Sequence, residues 1–164
     1  MPGSRYRFLR PARTAVLVAL AGLFATAEAH AQQAVLTNTR GLNFGRFVAG
    51  SGGTVILGAN GVRSRTGGVV LLNSPGMSQA AFTVGRSGTG TGRAVTVTLP
   101  PNGSVWLSSG SSSMAVNAFT QNPSLIIVPP IGAANLMVGA TLSVAPNQPP
   151  GTYTGSFPMT VNFQ

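Results

Sequence analysis

Downstream of Ala31 the chain has no cysteine, no lysine, no histidine and no acidic residue. Its one acid, Glu28, and its one imidazole, His30, both lie before that point. Each absence closes off a class of function. General acid–base catalysis needs a side chain that titrates near working pH, most often His, Glu, Asp or Lys. A serine nucleophile needs a base beside it, and a metal centre needs thiolate, imidazole or carboxylate ligands. Residues 32–164 supply none of these, so the sequence predicts a non-enzymatic protein without a cofactor or metal site. The missing cysteines also exclude disulfides, which leaves the hydrophobic core to hold the fold. Lysine and glutamate, both good helix formers, are missing too, and glycine or proline interrupts most windows of ten residues. Charge is of one sign: Arg40, Arg46, Arg63, Arg65, Arg86 and Arg93 are the only charged side chains after Ala31. Scattered arginines do not make the dense basic patch of a nucleic-acid binder, so no such partner is expected. Only Arg63 and Arg65 fall close together. On one strand face they would sit solvated, or touch lipopolysaccharide or another polyanion.

What precedes Ala31 reads as an export signal. Arg5, Arg7, Arg10 and Arg13 form a positive stretch, an apolar run follows from Thr14 to Ala27, and Ala29-His30-Ala31 closes it with small residues around a cleavage point. The apolar core is shorter than the roughly 20 residues that span a bilayer. The expectation is a cleaved signal peptide over 1–31 and no membrane span after cleavage. Residues 32–41 then form an N-terminal segment, and 42–164 a single domain of a length that buries a core without staples.

Within that domain apolar and polar residues alternate with period two. Phe82 and Val84 alternate with Thr83; Val95, Val97 and Leu99 with Thr96 and Thr98; Val138, Ala140, Leu142 and Val144 with Gly139, Thr141 and Ser143. Shorter candidate strands are Leu42 to Phe47, Thr54 to Leu57, Gly68 to Leu72, Val105 to Leu107, Met114 to Phe119 and Leu125 to Val128. Turn residues separate them, as in Asn60-Gly61, Ser74-Pro75-Gly76 and Pro146 to Gly151. About nine short strands at this spacing predict an antiparallel β-sandwich or barrel.

Several motifs have a plain reading beside a sharper one. Gly85 to Arg93 looks superficially like a phosphate-cradling glycine loop, but a strand pattern follows it and no helix, so a hairpin loop is expected. Asn102-Gly103-Ser104 matches a glycosylation pattern, yet after Pro101 it reads first as a turn. Ser108 to Ser113 reads as a polar loop. Trp106, the only tryptophan, is either a sugar-stacking platform or a packing residue, and its neighbours Val105 and Leu107 favour packing, with the indole buried or half-buried.

The last fourteen residues are the most regular. Tyr153, Phe157, Met159, Val161 and Phe163 fall on one face of a strand, and Thr152, Thr154, Ser156, Thr160 and Asn162 on the other. This ending resembles the C-terminal strand of pilus subunits assembled by the chaperone–usher pathway. Gly151 stands fourteenth from the end, Phe157, Met159 and Val161 alternate, and Phe163 is penultimate. Gly151-Thr-Tyr-Thr-Gly155 is also similar to the final strand of spore coat protein U-like secreted domains. Leu42-Asn-Phe-Gly45, Gly53-Thr-Val55, Gly67 to Leu71, Ala80 to Val84, Val97 to Pro100 and Val138 to Leu142 extend the likeness. Together they resemble a family of small secreted bacterial domains of unknown function.

The resemblance implies an immunoglobulin-like antiparallel sandwich with an unfilled groove. In such subunits a periplasmic chaperone fills the groove by β-strand addition, and a segment of the next subunit replaces it at an usher. The strand-exchange and chaperone interface would be Gly151, Tyr153, Phe157, Met159, Val161, Phe163 and Gln164, the last through its carboxylate. Ala34 and Leu36 mark a possible donor segment; the same residues, 32–41, serve equally as the domain's own first strand. The implied destination is the periplasm and then the surface or fimbrium of a Gram-negative-type bacterium. A self-complete adhesin, or a glycan- or matrix-binding sandwich, is the alternative function.

Overall fold

A computed structural model describes residues 33–87 and 90–164. The expected signal peptide, Gln32 and two residues of the glycine loop lie outside the described residues. All regular structure described is β, with no helix. The strands are β1 (Ala34–Arg40), β2 (Phe47–Val48), β3 (Gly53–Leu57), β4 (Arg63–Gly67), β5 (Val70–Leu71) and β6 (Ala80–Arg86), followed by β7 (Arg93–Thr98), β8 (Val105–Ser109), β9 (Ser112–Asn122), β10 (Ile126–Val128), β11 (Ala134–Val144) and β12 (Thr160–Phe163).

The long strand β11 organises the main antiparallel sheet. Along one side its first half, Ala134–Val138, pairs with β6, which carries β1 at the sheet edge. Its second half, Ala140–Val144, pairs with β3, which carries β4. Its other side pairs with β9, which carries β8. The hand-over from β6 to β3 falls at Gly139, where a side chain would collide with the backbone of Gly58 and Ala59. Glycine there is a packing requirement, because the neighbouring main chain occupies the Cβ position. A second sheet runs β10-β7-β12, and β2 pairs with β5 in a short ladder.

The two sheets face each other as a sandwich. One core cluster lies between them, with Phe82, Val84, Leu136 and Val138 facing Val95, Ile126 and Val128. The other lies under β3, β9 and β11, around Val55, Leu57, Met114, Val116 and Leu142, and is closed by Phe44 and Val69. Period-two patterning produces this burial: Leu136, Val138, Leu142 and Val144 of β11 are buried, while Asn135, Thr141 and Ser143 are not. No side chain in the buried core is polar or charged among the described residues.

Some expectations change. Leu42 to Phe47 is not a continuous strand; it makes an isolated bridge, Asn43 to Ser78, before the two-residue β2. Ser108 to Ser113 is a tight hairpin rather than a loop, with Ser109 opposite Ser112 and Gly110 at φ 59° in the turn between them. A glycine at positive φ in the first turn position suits a two-residue hairpin. The glycine-rich segment after β6 is not a hairpin loop, because β6 and β7 belong to different sheets. Arg86 gathers its far side, donating to the carbonyls of Gly90, Thr91 and Pro130. Arg63 is not a solvated polyanion contact either. Its guanidinium donates to Phe44 O at 3.0 Å and Leu72 O at 2.6 Å and so ties two loops together. Arg65 is the exposed member of that pair.

Candidate functional site

The C-terminal segment starts at one sheet and ends at the other. Thr154 exchanges two backbone hydrogen bonds with Ser108 at the free edge of β8, 2.8 and 3.0 Å long. The chain then leaves that edge and joins β7 as β12 only from Thr160. The expected fourteen-residue strand is therefore split. Gly155 is pressed against the backbone of Trp106, and Pro158 has no N–H to give to a ladder. Side-chain alternation nevertheless runs through the break: Tyr153, Phe157, Met159, Val161 and Phe163 are half-buried, and the residues between them are exposed. None of the five is fully covered.

Phe157 sits at the centre. It meets Phe82 edge to face at 6.2 Å and Phe119 at 5.1 Å between ring centroids, and it packs against both core clusters. Phe119 reaches it because of a bulge in β9. Before the bulge Met114 and Val116 point inward; after it Phe119 does. The extra residue, Ala118, adopts φ 47°, and its N–H is held by Asn102 Oδ1 at 2.8 Å. The turn expected at Asn102-Gly103 is thereby stitched to β9, since Gly103 N–H also bonds Asn117 Oδ1 at 2.8 Å. A bulge of this kind redirects every side chain beyond it.

Beside Phe157 a cleft of about 350 Å³ opens, lined by Asn38, Leu42, Phe82, Leu107 and Val116 among others. Its lining is largely apolar, and its rim is the end of β1 on one side and residues 155–157 on the other. Farther along, β1 and β12 lie next to each other at the margin of the sandwich without a ladder between them. Gln164 N–H bonds Ala94 O, so in the antiparallel alternation the main-chain groups of Val161 and Phe163 point away from β7. By the same argument, from Ser87 N–H on Gln33 O, those of Ala34, Leu36 and Asn38 point away from β6. Two sheet edges with unused donors and acceptors therefore flank a half-covered apolar strip that includes Leu36, Phe157, Met159, Val161 and Phe163.

The residues named from sequence fall out as follows. Phe157, Met159, Val161 and Phe163 line one continuous strip, joined by Leu36 from β1. Tyr153 stands apart in the other cluster, its hydroxyl donating to Pro149 O and accepting from Gln148 Nε2, both at 2.8 Å. Gly151 is exposed beside Ser109. Ala34 and Leu36 lie in β1, paired with β6 of the same chain. Gln164 is fastened to β7: its main-chain oxygen accepts from Arg93 Nη2 at 2.7 Å and its amide donates to Thr96 Oγ1 at 2.6 Å. Arg93 also lies over the Phe163 ring, 5.4 Å from its centroid.

Sequence reasoning missed Phe82, Phe119 and Arg93 as parts of this site. Phe82 showed only a core pattern, and Phe119 was hidden by the parity change at the bulge. No group of His, Cys, Asp or Glu able to hold a metal occurs among the described residues.

Comparison with known proteins is consistent with this all-β domain as one unit. No curated protein and no solved structure matches the chain. A family model described as a domain of unknown function, DUF4402, matches residues 35–163, which runs from β1 through β12. Because that match takes in both sheets, both core clusters and the apolar strip between β1 and β12, the chain belongs to the DUF4402 family.

Proposed function

We propose that this domain is an exported, non-enzymatic, pilin-like subunit that accepts an extended segment of another polypeptide beside its C-terminal strand. The observation that carries the reading is the half-covered row Phe157, Met159, Val161 and Phe163 next to strand edges whose backbone groups are unpaired. An added strand gains main-chain hydrogen bonds from such an edge and side-chain burial from such a row. It also removes an edge that would otherwise invite aggregation. The first occupant in this reading is a periplasmic chaperone and the later one a like subunit delivered by usher-type machinery, with the cell surface or a fimbrium as destination.

The test is electrophoresis of the mature protein recovered from its native cell surface, in detergent, before and after boiling. A ladder that collapses to monomer only on boiling is the expected result. One monomer band in both lanes overturns it. Phe163→Ser is expected to abolish chaperone capture and export yield, whereas in a domain that needs no foreign strand it lowers stability alone.

A self-complete adhesin or binding sandwich is the second reading. It is favoured by one observation: β1 already pairs with β6 of its own chain from Ala34 to Arg40.

A further inference from the structure

The outer face of the main sheet carries a second feature, remote in kind from the apolar strip. Trp106, expected to be buried or half-buried, keeps 51% of its surface in water. Its neighbours Val105 and Leu107 point inward, so the indole stands on the outside of β8. Directly across the ladder is Ala115, too small to cover the ring. The indole is nonetheless not free to swing, because its N–H donates to Gly103 O at 3.2 Å. A large apolar plate is thus held in one orientation with a face open to solvent.

A cleft of about 310 Å³ adjoins it, lined by Trp106, Ala115, Ser113, Ser143 and Gln148 among others, none of them charged. That size lies at the lower end of small-molecule sites. Gln148 is fixed in a way that settles which amide atom is engaged. Its Nε2 donates to the carbonyl of Ser113 at 3.3 Å and to Tyr153 Oη at 2.8 Å, and Tyr153 spends its own proton on Pro149 O. A carbonyl cannot donate, so the nitrogen must be the atom pointing there. Both its hydrogens are then used, and Oε1 is left as an acceptor without a partner among the described residues. Hydroxyls continue across the sheet from this point: Ser143 lies opposite Thr54, and Thr54 opposite Thr66, their hydroxyl oxygens 2.7 Å apart.

We propose that Trp106, with Gln148, Ser113 and Ser143, forms a binding site for a neutral oligosaccharide. An aromatic face carries partial negative charge, which attracts the C–H face of a pyranose ring. The free amide oxygen and the serine hydroxyls match sugar hydroxyls, which both donate and accept. The uncharged lining selects against acidic glycans, since no cation is present to pair with a carboxylate or sulfate. Pre-fixing of the indole and the amide lowers the entropy lost on binding. This site uses residues other than those of the strand-accepting strip, so it stands whether or not that reading survives.

Trp106 is the only tryptophan in the chain, so its own fluorescence reports occupancy. The experiment titrates the mature protein with cellohexaose, laminarihexaose, maltohexaose, chitohexaose and lacto-N-neotetraose, with sialyllactose as the acidic comparison. A saturable shift with at least one neutral sugar, unchanged by added salt, is expected. Calorimetry with that sugar should show binding weakened at least about tenfold in Trp106→Ala, the factor that corresponds to about 1.4 kcal/mol. Trp106→Phe should retain part of the affinity, and Gln148→Met should lose several-fold. Thermal melts monitor folding of each variant, and the exposed Trp106 position keeps that control meaningful. No response to any neutral sugar, equal binding by Trp106→Ala, or binding of sialyllactose alone each overturns the proposal.

Discussion

Phe157 shows how much one side chain can be asked to do. It belongs to a segment with little ladder of its own, yet it contacts both core clusters and two other phenylalanines. Truncating a fully buried phenylalanine costs about 3–5 kcal/mol, and Phe157 is only half covered. Phe157→Ala is therefore expected to cost about 2 kcal/mol, read from the urea midpoint, and to widen the cleft beside β1. A fall below about 0.5 kcal/mol would mean the aromatic trio contributes little to holding the sheets together. The arginines teach a different lesson at this scale. Among the described residues Arg63 and Arg86 have no acidic side chain to meet, and they spend their donors on backbone carbonyls of loops. An arginine fork satisfies several carbonyls at once, which lysine's point charge does less well.

At the level of elements, β11 is the piece on which the rest is hung, and Gly139 is its weak point. Adding a methyl group there forces the β3 end and the following turn outward. Overpacking against the main chain costs about 1–3 kcal/mol, and Gly139→Ala is expected near the upper end of that range in a denaturant titration. Most of this element was legible beforehand, because Val138 to Val144 alternates strictly and both faces read correctly. The strands with few apolar residues were not. β4, Arg63-Ser-Arg-Thr-Gly67, has no hydrophobic pattern and exists because β3 offers it an edge. β1 fades into exposed Asn38, Thr39 and Arg40, and only its pairing with β6 defines it. The C-terminal strip was legible as a face, since alternation is a local property. Its division between β8 and β7 was not, because that depends on where Gly155 meets Trp106, more than forty residues away in the chain. Trp106 lies at the exposed end of its expected range because its apolar neighbours point the other way, and a period of two puts the tryptophan outside.

For the whole molecule, stability and pH come apart. A fold's pH dependence arises from groups that bind protons differently in the folded and unfolded chain. Residues 33–164 contain no Asp, Glu, His, Lys or Cys side chain that could do so near neutrality. The denaturation midpoint of a protein made of residues 32–164 is expected to stay level between about pH 5 and about pH 9, where most domains peak and decline. A midpoint that moves across that range would require a titrating group from outside this stretch. The neutral hydroxyl-bearing sheet face and the apolar strip are then both insensitive to acidity, and any partner proposed for either would be held by shape, hydrogen bonding and burial.

Residues 32–164 hold six arginines and no acidic side chain to cancel them, so every copy of that stretch carries the same sign. Two such copies repel as they approach, over a distance that shrinks to about 10 Å in 0.1 M salt. Oppositely charged partners usually meet more slowly as ions are added. Here the order reverses: any self-association of the purified domain, followed by light scattering, should quicken with ionic strength, and dilute media should keep the copies apart.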